Sequence, residues 1–495
     1  MALRLLRMNL LLVFFLLFHT THAWKGLCFG DPKVNLPVRY FFVRLQDDEG
    51  RNATESGGQL NLEVLHKEEC LYHIRSVDRG DGMYIIRLNI HLSCQSTVHV
   101  RVSLNGHQLC GNGGYEISNS DGSPLLQEEC LCEDLPTSEN WIEHAQCAEE
   151  PQLQSDLERW KVINFSSVLA LAEERYGQPH HSRSYSLCHY VIQDNQIFRK
   201  CYGEYVGFHS FADDILLSIP DTEFLMNLGD YPLAHPTRGT DIPIISWCGS
   251  KSSVDVVLPT YDLSNSVVHS GRDKEVHLVL GDHPTAWKDK KQQAVFRGRD
   301  SNQLRLDLSR LSDKHPDLLD AGITRYFFFD KKKNPPTKSG IPFADFFKYR
   351  YIISVDGTVA AYRFPFLLAG DSIILKSESE YYEHFYSKMH EYEHYIPFDK
   401  DNAEEAIQWT QNEDLNRTLS SMKQFVLDHL QPRNLYCYYA RFFEAYSSKL
   451  LSPPTRIPPG MAAVGQSGRR DCNCGERTKR RKKSGKGEKN TKAEL

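Results

Sequence analysis

The chain has 495 residues, 40% hydrophobic and 25% charged, which is a globular composition with length for two or three domains with full cores. Its net charge of −6 conceals a strongly basic end, so the folded body is more acidic than the total and gives no footing to a nucleic-acid-binding role.

Arg4 and Arg7, the apolar run Leu10–Phe18 and Thr21-His22-Ala23 predict a signal peptide, residues 1–23. The run is too short to span a bilayer comfortably, and no other segment comes close. Sequons at Asn52, Asn164 and Asn416 fit secretory passage. The terminus Lys492-Ala-Glu-Leu495 is similar to a KDEL retention signal, departing from it at the second position. The expectation is residence in the endoplasmic reticulum lumen, with a KDEL-type retrieval receptor as one partner. There, thirteen cysteines predict structural disulfides with at least one thiol left over. Cys472 and Cys474 are a loose pair or a spare.

Short alternating runs at Tyr40–Leu45, Gln59–Val64, Tyr72–Val77, Met83–Ile90 and Val98–Leu104 predict an antiparallel sandwich. Asp78-Arg-Gly-Asp-Gly-Met-Tyr84 with Ile85–Leu88 resembles the signature turn of filamin-type immunoglobulin repeats, and Ser103–His107 its later hairpin. The usual Ser-Pro-Phe ending is replaced by Gly111–Gly114, so the last strand is expected to differ. Residues 24–120 are therefore expected to be a filamin-type, immunoglobulin-like all-β domain. In that turn, Arg79-Gly80-Asp81 reads as structure rather than as an integrin tripeptide.

Residues 121–150 read as a cysteine-rich entry. Helices are expected at Leu153–Trp160, Val168–Tyr176 and Phe211–Ser218, with a hairpin Leu187–Ile192/Ile197–Arg199 stapled by Cys188 and Cys201. Strands follow at Glu223–Leu228, Ile242–Ser246 and Val254–Leu258. After the loop His269–Lys291 come strand Ala294–Phe296, helix Leu304–Leu311, strand Tyr351–Val355, helix Val359–Leu368 and strand Ser372–Leu375. Helix dominates Ala403–Leu430 and Tyr436–Leu450. This predicts an α/β domain, 151–452, of two Rossmann-like lobes facing a cleft, the GT-B arrangement: 151–290, 291–430, and a return helix 431–452. Residues 453–495 read as a disordered basic tail, with Arg477–Lys483 a solvated stalk.

Asp230 ends a strand in Asn227-Leu-Gly-Asp-Tyr-Pro232, where α/β sheets present ligands, and Pro232 restricts the backbone before it. Arg297-Gly298-Arg299 reads as a glycine turn, with Arg305 about two turns into the next helix. Asp356–Lys376 puts small residues after a Gly-Thr turn, as a helix start facing an anion would, with Arg363 beside it. Together these suggest a diphosphate clamp.

These stretches resemble the CAP10/Rumi-type family of protein O-glucosyltransferases, above all its two-domain, KDEL-motif-containing members, from about Val38 to Ser447. The resemblance implies inverting transfer from UDP-glucose to a serine of folded EGF-like repeats, with Asp230 as base. It puts Arg305, Arg363 and the backbone of Thr358, Val359, Ala360, Ala361 and Tyr362 on the nucleotide. Residue 299 also lies at the site; the single-domain relatives carry a small residue where this chain has Arg299. It further implies that one of Cys130, Cys132 and Cys147 pairs with Cys437. Acceptor contacts fall to the first lobe, with Tyr231 and Trp247 as candidates. No metal or other cofactor is expected, because arginines and a helix N-terminus can take a metal's place; Asp399-Lys-Asp401, the only D-x-D, reads as a solvated loop.

His390-Glu-Tyr-Glu-His394 formally matches a zinc-protease motif, but Tyr395-Ile-Pro397 would end the helix under its second histidine. His384 reads as a packed histidine. Two rival readings stand: UDP-xylose as donor, or a non-catalytic lumenal binding protein working through its filamin-type domain.

Overall fold

The computed structural model describes residues 24–30, 39–55, 57–65, 72–90, 98–117, 137–177, 186–202, 219–236, 242–264 and 285–464. They fall into two compact units, one ending at Asp121 and one running from Gly122 onward. The expected signal peptide, the helix Phe211–Ser218, Cys130, Cys132, Cys472, Cys474, Arg477–Lys483 and Lys492–Leu495 lie outside the described residues.

The first unit is all-β: β1 (Lys25–Phe29), β2 (Arg39–Gln46), β3 (Leu60–Leu65), β4 (Tyr72–Asp78), β5 (Met83–Ile90), β6 (Val98–Leu104), β7 (His107–Leu109) and β8 (Tyr115–Ile117). They form two sheets, β1-β2-β5-β4 and β3-β6-β7, with β8 pairing Val98–Val100 of β6, beyond the stretch that β7 covers. In β6, Val100, Val102 and Leu104 are buried while Arg101 and Ser103 between them are half-exposed, the alternation of a one-sided sheet. The turn before β5 folds on itself. Asp81 accepts the Met83 N–H at 3.1 Å and pairs with Arg79 at 2.7 Å. Gly82 has a φ of 79°, and a Cβ there would meet that of Ala53 at 2.5 Å. A Cys28–Cys110 disulfide, which the sequence left open, ties β1 to the end of β7.

The second unit begins with α1 (Ser138–His144), α2 (Pro151–Glu158) and α3 (Phe165–Tyr176). Asn164 caps α3 by accepting the Ser167 N–H. The hairpin β9 (Leu187–Gln193) and β10 (Gln196–Tyr202) turns at Asp194-Asn195, both with positive φ, and the Cys188–Cys201 bond spans it. Then come β11 (Thr222–Asn227), β12 (Ile244–Ser246), β13 (Gly249–Ser250) and β14 (Val256–Val257). β11, β12 and β14 run parallel, whereas β9 joins β11 antiparallel. This first sheet is therefore mixed, and less Rossmann-like than expected.

The second sheet starts with β15 (Lys291–Arg299), followed by α4 (Gln303–Lys314), β16 (Leu319–Arg325), β17 (Tyr349–Ser354), α5 (Phe364–Leu368), β18 (Ile373–Ser377), β19 (Tyr381–Tyr382) and β20 (Ile396–Phe398). Its order is β16-β15-β17-β18-β20, all parallel. That is an open doubly wound order whose direction reverses between β15 and β17. Two expectations are corrected here. Gly298 and Arg299 lie inside β15, at a register shift rather than a turn. The helix expected over Val359–Leu368 is only Phe364–Leu368, because Pro365 can occupy the first turn of a helix but not its interior.

The chain closes with α6 (Ala403–Asn412), α7 (Asn416–His429), α8 (Pro432–Ser447) and β21 (Ala462–Ala463). α8 returns to the first sheet, where Phe442, Phe443 and Tyr446 pack on Phe224 at 6.2–6.3 Å between ring centres. Cys147–Cys437 fastens α8 to the start of the unit. The tail does not dissolve at 453: β21 pairs with β10, and the Val464 N–H reaches the Ile197 carbonyl. Asn52, Asn164 and Asn416 are all exposed. Among the described residues, no helix is long and apolar enough to cross a membrane.

Candidate active site

Open parallel sheets bind ligands beyond the carboxyl ends of their strands where the strand order reverses. Here that place is built by the residues after β15 and the loop after β17. Asn302 knits the two together: its side chain accepts the Arg305 N–H, capping α4, and donates to the Asp356 carbonyl at 2.9 Å. Arg305 is the third residue of α4, in its first turn rather than two turns in.

The arginines divide sharply. Arg305 is 8% exposed, and it donates to the carbonyls of Asp356, Val355 and Arg299 at 2.7, 2.8 and 3.1 Å. Arg363 donates to the Arg297 carbonyl at 2.6 Å and lies 5.3 Å from the Phe296 ring centre, while its Nη2 is shut off from solvent without a hydrogen-bond partner. Burial, with Arg363 alongside, draws Arg305 down to about 9, and burial draws Arg363 down to about 10, so both stay cationic at neutral pH. Neither makes an ion pair with a carboxylate among the described residues. Asp356 and Asp300 lie near enough to Arg305 to offset part of its burial, while burial alone accounts for the shift of Arg363, so the pair suits an anion.

Arg297 does not belong to it. Its guanidinium grips Asp320 bidentately at 2.9 and 3.0 Å and donates to the carbonyls of Ser339, Phe296 and Asp320. The expected three-arginine clamp therefore loses this member. In a regular strand Arg297 and Arg299 would share a face, but the register shift separates them. Arg299 is exposed, 5.1 Å from the Phe327 ring centre, and contributes its carbonyl to Arg305.

The loop after β17 supplies amides instead of a helix start. Its own bonds are few: Gly357 N–H to the Val359 carbonyl at 2.8 Å, Phe364 N–H to that of Ala361 at 2.7 Å, and Ala361 N–H to the Asp356 carboxylate. The Thr358, Val359 and Ala360 N–H groups donate to no acceptor among the described residues. Thr358 is exposed, whereas Val359, Ala360 and Ala361 are buried. A run of unpaired N–H groups of this kind is suited to an anion.

Asp230 stands opposite, on the turn leaving β11. Asn227 shapes that turn, accepting the Gly229 N–H at 3.0 Å and donating to the Tyr231 carbonyl at 2.5 Å. Buried Asp255 accepts the N–H groups of Leu233 and Ala234 and the Ser246 hydroxyl. Burial raises the Asp230 carboxyl above the usual range, and its Oδ1 is enclosed without a hydrogen-bond partner. The Asp230 carbonyl receives the Tyr362 hydroxyl at 3.3 Å and the Cys248 thiol at 3.4 Å. Cys248, Val359 and Ala360 form a small apolar cluster, with Tyr362 and Tyr381 against it. The turn of the first sheet and the loop of the second thus meet. Sequence reading missed Asn227 as turn-former, Asp255 and Cys248; Cys248 was signalled only by its place just beyond the end of β12.

Tyr231 is 51% exposed and receives the Tyr381 hydroxyl at 3.1 Å, so it stands at the rim. Trp247 is 1% exposed and packs edge-on against Tyr261, which packs likewise on Tyr362; it supports the site from behind rather than facing an acceptor. His384 is buried between Phe385 and Tyr438, with both ring nitrogens unpartnered, and burial pulls it well below its usual range, so it is neutral. His390–His394 forms a tight turn, not a helix: the His390 N–H donates to His394 Nδ1 at 2.9 Å, and Tyr392 has a φ of 62°. Asp399 caps its own loop, accepting the N–H groups of Asp401 and Asn402.

A half-buried carboxyl on the turn of one sheet, meeting a loop of the other that lies beside two enclosed guanidiniums, suits transfer of a group carried on a phosphate. The sequence profile of glycosyl transferase family 90 matches residues 143–492, so the chain belongs to that family and is a glycosyltransferase. It is 37% identical over 457 residues to Protein O-glucosyltransferase 3 of Homo sapiens, covering 88% of each chain. To Protein O-glucosyltransferase 2 of Danio rerio it is 36% identical over 467 residues, covering 90% of this chain and 91% of the relative. Protein O-glucosyltransferase 1 of Homo sapiens matches at 27% over 289 residues, covering 54% and 74%. The crystal structure of the Lin-41 filamin domain aligns with 19% of this chain and 92% of that domain, at 14% identity and a TM-score of 0.16, too low to bear on the fold.

Proposed function

We propose that the chain is an inverting, metal-independent protein O-glucosyltransferase of the endoplasmic reticulum lumen, moving glucose from UDP-glucose to a serine hydroxyl of EGF-like repeats. The observation that carries this reading is the pair of enclosed guanidiniums, Arg305 and Arg363, in no ion pair among the described residues, beside the unpaired amides of Thr358–Ala360. Those groups would receive the diphosphate and its growing charge as the sugar bond breaks. Asp230 would take the proton of the serine hydroxyl while that oxygen attacks the anomeric carbon from the side opposite the departing UDP. One carboxylate suffices, since hydrolysis would call for a second to activate water. The cations perform the charge neutralisation for which other transferases use a metal.

The names of the relatives supply the acceptor class, a protein, and the sugar. Two facing α/β sheets with a return helix favour the GT-B arrangement, and the two antiparallel sheets of the first unit favour a filamin-type repeat that docks substrate. The signal-like start and the Lys492–Leu495 terminus are the grounds for lumenal residence and for the retrieval receptor as partner.

The test is transfer of labelled glucose from UDP-glucose to a folded EGF repeat by wild type and Asp230→Asn, with and without EDTA, and with UDP-xylose in parallel. Transfer by wild type alone, indifferent to EDTA, is the expected result. Transfer only from UDP-xylose would change the donor. Silence from wild type across several repeats, with no UDP binding, would overturn the reading in favour of a lumenal binding protein.

A further inference from the structure

The Asp230 carboxylate has nothing to steer it but its own backbone, because Oδ1 makes no hydrogen bond. From its own lobe the turn is held by Asn227 and Asp255. From the other lobe, Tyr362 is the one side chain of the 357–363 loop that reaches the turn, among the described residues. Its hydroxyl lies 3.3 Å from the Asp230 carbonyl and 3.5 Å from Cys248 Sγ, which itself lies 3.4 Å from that carbonyl. Burial pushes both the phenol and the thiol upward, so both stay protonated and remain donors. Nearby, β13 and β19 pair across the same lobes through Gly249–Tyr382 and Ser250–Tyr381, and the Lys251 N–H meets the Glu380 carbonyl at 2.9 Å. A Cβ at Gly249 would lie 2.3 Å from the Tyr382 ring, so only glycine lets these strands approach.

We propose that Tyr362 is a positioning residue: through its hydroxyl, with the Cys248 thiol as second donor, the loop that receives the donor diphosphate fixes the backbone of the general base. The loop that offers its amides of Thr358–Ala360 to an anion thus also carries the side chain that sets the direction of the Asp230 turn. The inference rests on the transferase reading above.

Tyr362→Phe keeps the ring on Tyr261 and removes only the hydroxyl. UDP affinity by calorimetry and KM for UDP-glucose should stay within about twofold of wild type. At saturating substrates kcat should fall about threefold to tenfold, the scale of one hydrogen bond. Cys248→Ala should show the same kcat-only loss, with Cys248→Ser recovering most of it, since serine restores a donor. A role in packing alone would lower melting temperature and UDP affinity with kcat, and would not distinguish serine from alanine. Unchanged kcat in both Tyr362→Phe and Cys248→Ala, or parallel losses of kcat and UDP affinity, would overturn the proposal while leaving the transferase standing. A wild type that transfers nothing would overturn both. If Tyr362→Phe does not fold, the serine–alanine comparison at Cys248 decides alone.

Discussion

Arg363→Met should make the protein more stable and a worse binder of UDP. The guanidinium sits near the rings of Phe296 and Phe346, 5.3 and 5.7 Å from their centres, and among the described residues it makes one hydrogen bond, to the Arg297 carbonyl, and no ion pair. Holding its charge there displaces its titration from 12.5 to about 10, a penalty on the order of 3 kcal/mol. Methionine removes that penalty, keeps an unbranched stem against the two rings, and gives up one hydrogen bond of about 1 kcal/mol. The net gain is about 2 kcal/mol, a rise of a few degrees in melting temperature without nucleotide. A base whose folded value lies below its unfolded value carries the penalty at every pH below about 10, so the rise should be equal at pH 6 and pH 8. UDP should bind about 10- to 150-fold more weakly, the loss of one charge-assisted bond to phosphate. Differential scanning fluorimetry and UDP calorimetry on the same preparation read both. A variant that melts lower than wild type yet binds UDP equally well would refute the assignment of Arg363 to an anion site.

Asp230→Asn should lower kcat by about two to four orders of magnitude with UDP affinity retained, measured by transfer and calorimetry. Because burial raises the Asp230 carboxyl, wild-type activity should begin to fall on acidification above the ordinary carboxylate range, as that carboxylate takes up its proton; a pH profile of kcat/KM reads the limb. Arg297→Ala takes the bidentate partner from Asp320 but leaves it Lys338 and the Tyr349 hydroxyl, so it should destabilise by about 1–3 kcal/mol in urea unfolding, whereas UDP affinity of the folded protein should change little. Cys147→Ser should lose up to about 5 kcal/mol by the same assay, the loop-entropy limit for a bridge spanning 290 residues.

Much of the fold was legible because strand ends and turns carry local chemistry. Alternation gave β2 to β6, and Cys188 with Cys201 flanked a hairpin whose Asp-Asn turn fits its positive φ values. What failed were features set by distant partners. Arg297 and Arg299 look equivalent in sequence, yet a bulge in β15 and the carboxylate of Asp320, on the neighbouring strand, give them opposite fates. The misread helix over Val359–Leu368 contained its own correction in Pro365. Trp247 was an acceptor candidate only by its place in the first lobe; its packing against Tyr261 is set by a distant contact that the sequence does not show. Cys248 could not have been found from pattern, since a thiol matters here only through two atoms contributed by residues 18 and 114 positions away.

The bridge from Cys147 to Cys437 also sets an order of events during synthesis. A chain delivered into an oxidising compartment at roughly 5–20 residues per second presents Cys147 about 15 to 60 s before Cys437 exists to meet it. In that interval Cys188 and Cys201, only 13 positions apart, emerge and can close, and each is also a wrong partner for the waiting thiol. The hairpin that forms first therefore removes two competitors of the bond that forms last, leaving Cys248, which stays a free thiol, as a third. A variant lacking Cys201 would leave Cys188 exposed to Cys147 for the whole of that wait, and its damage would fall on the distant helix α8 rather than on the hairpin itself.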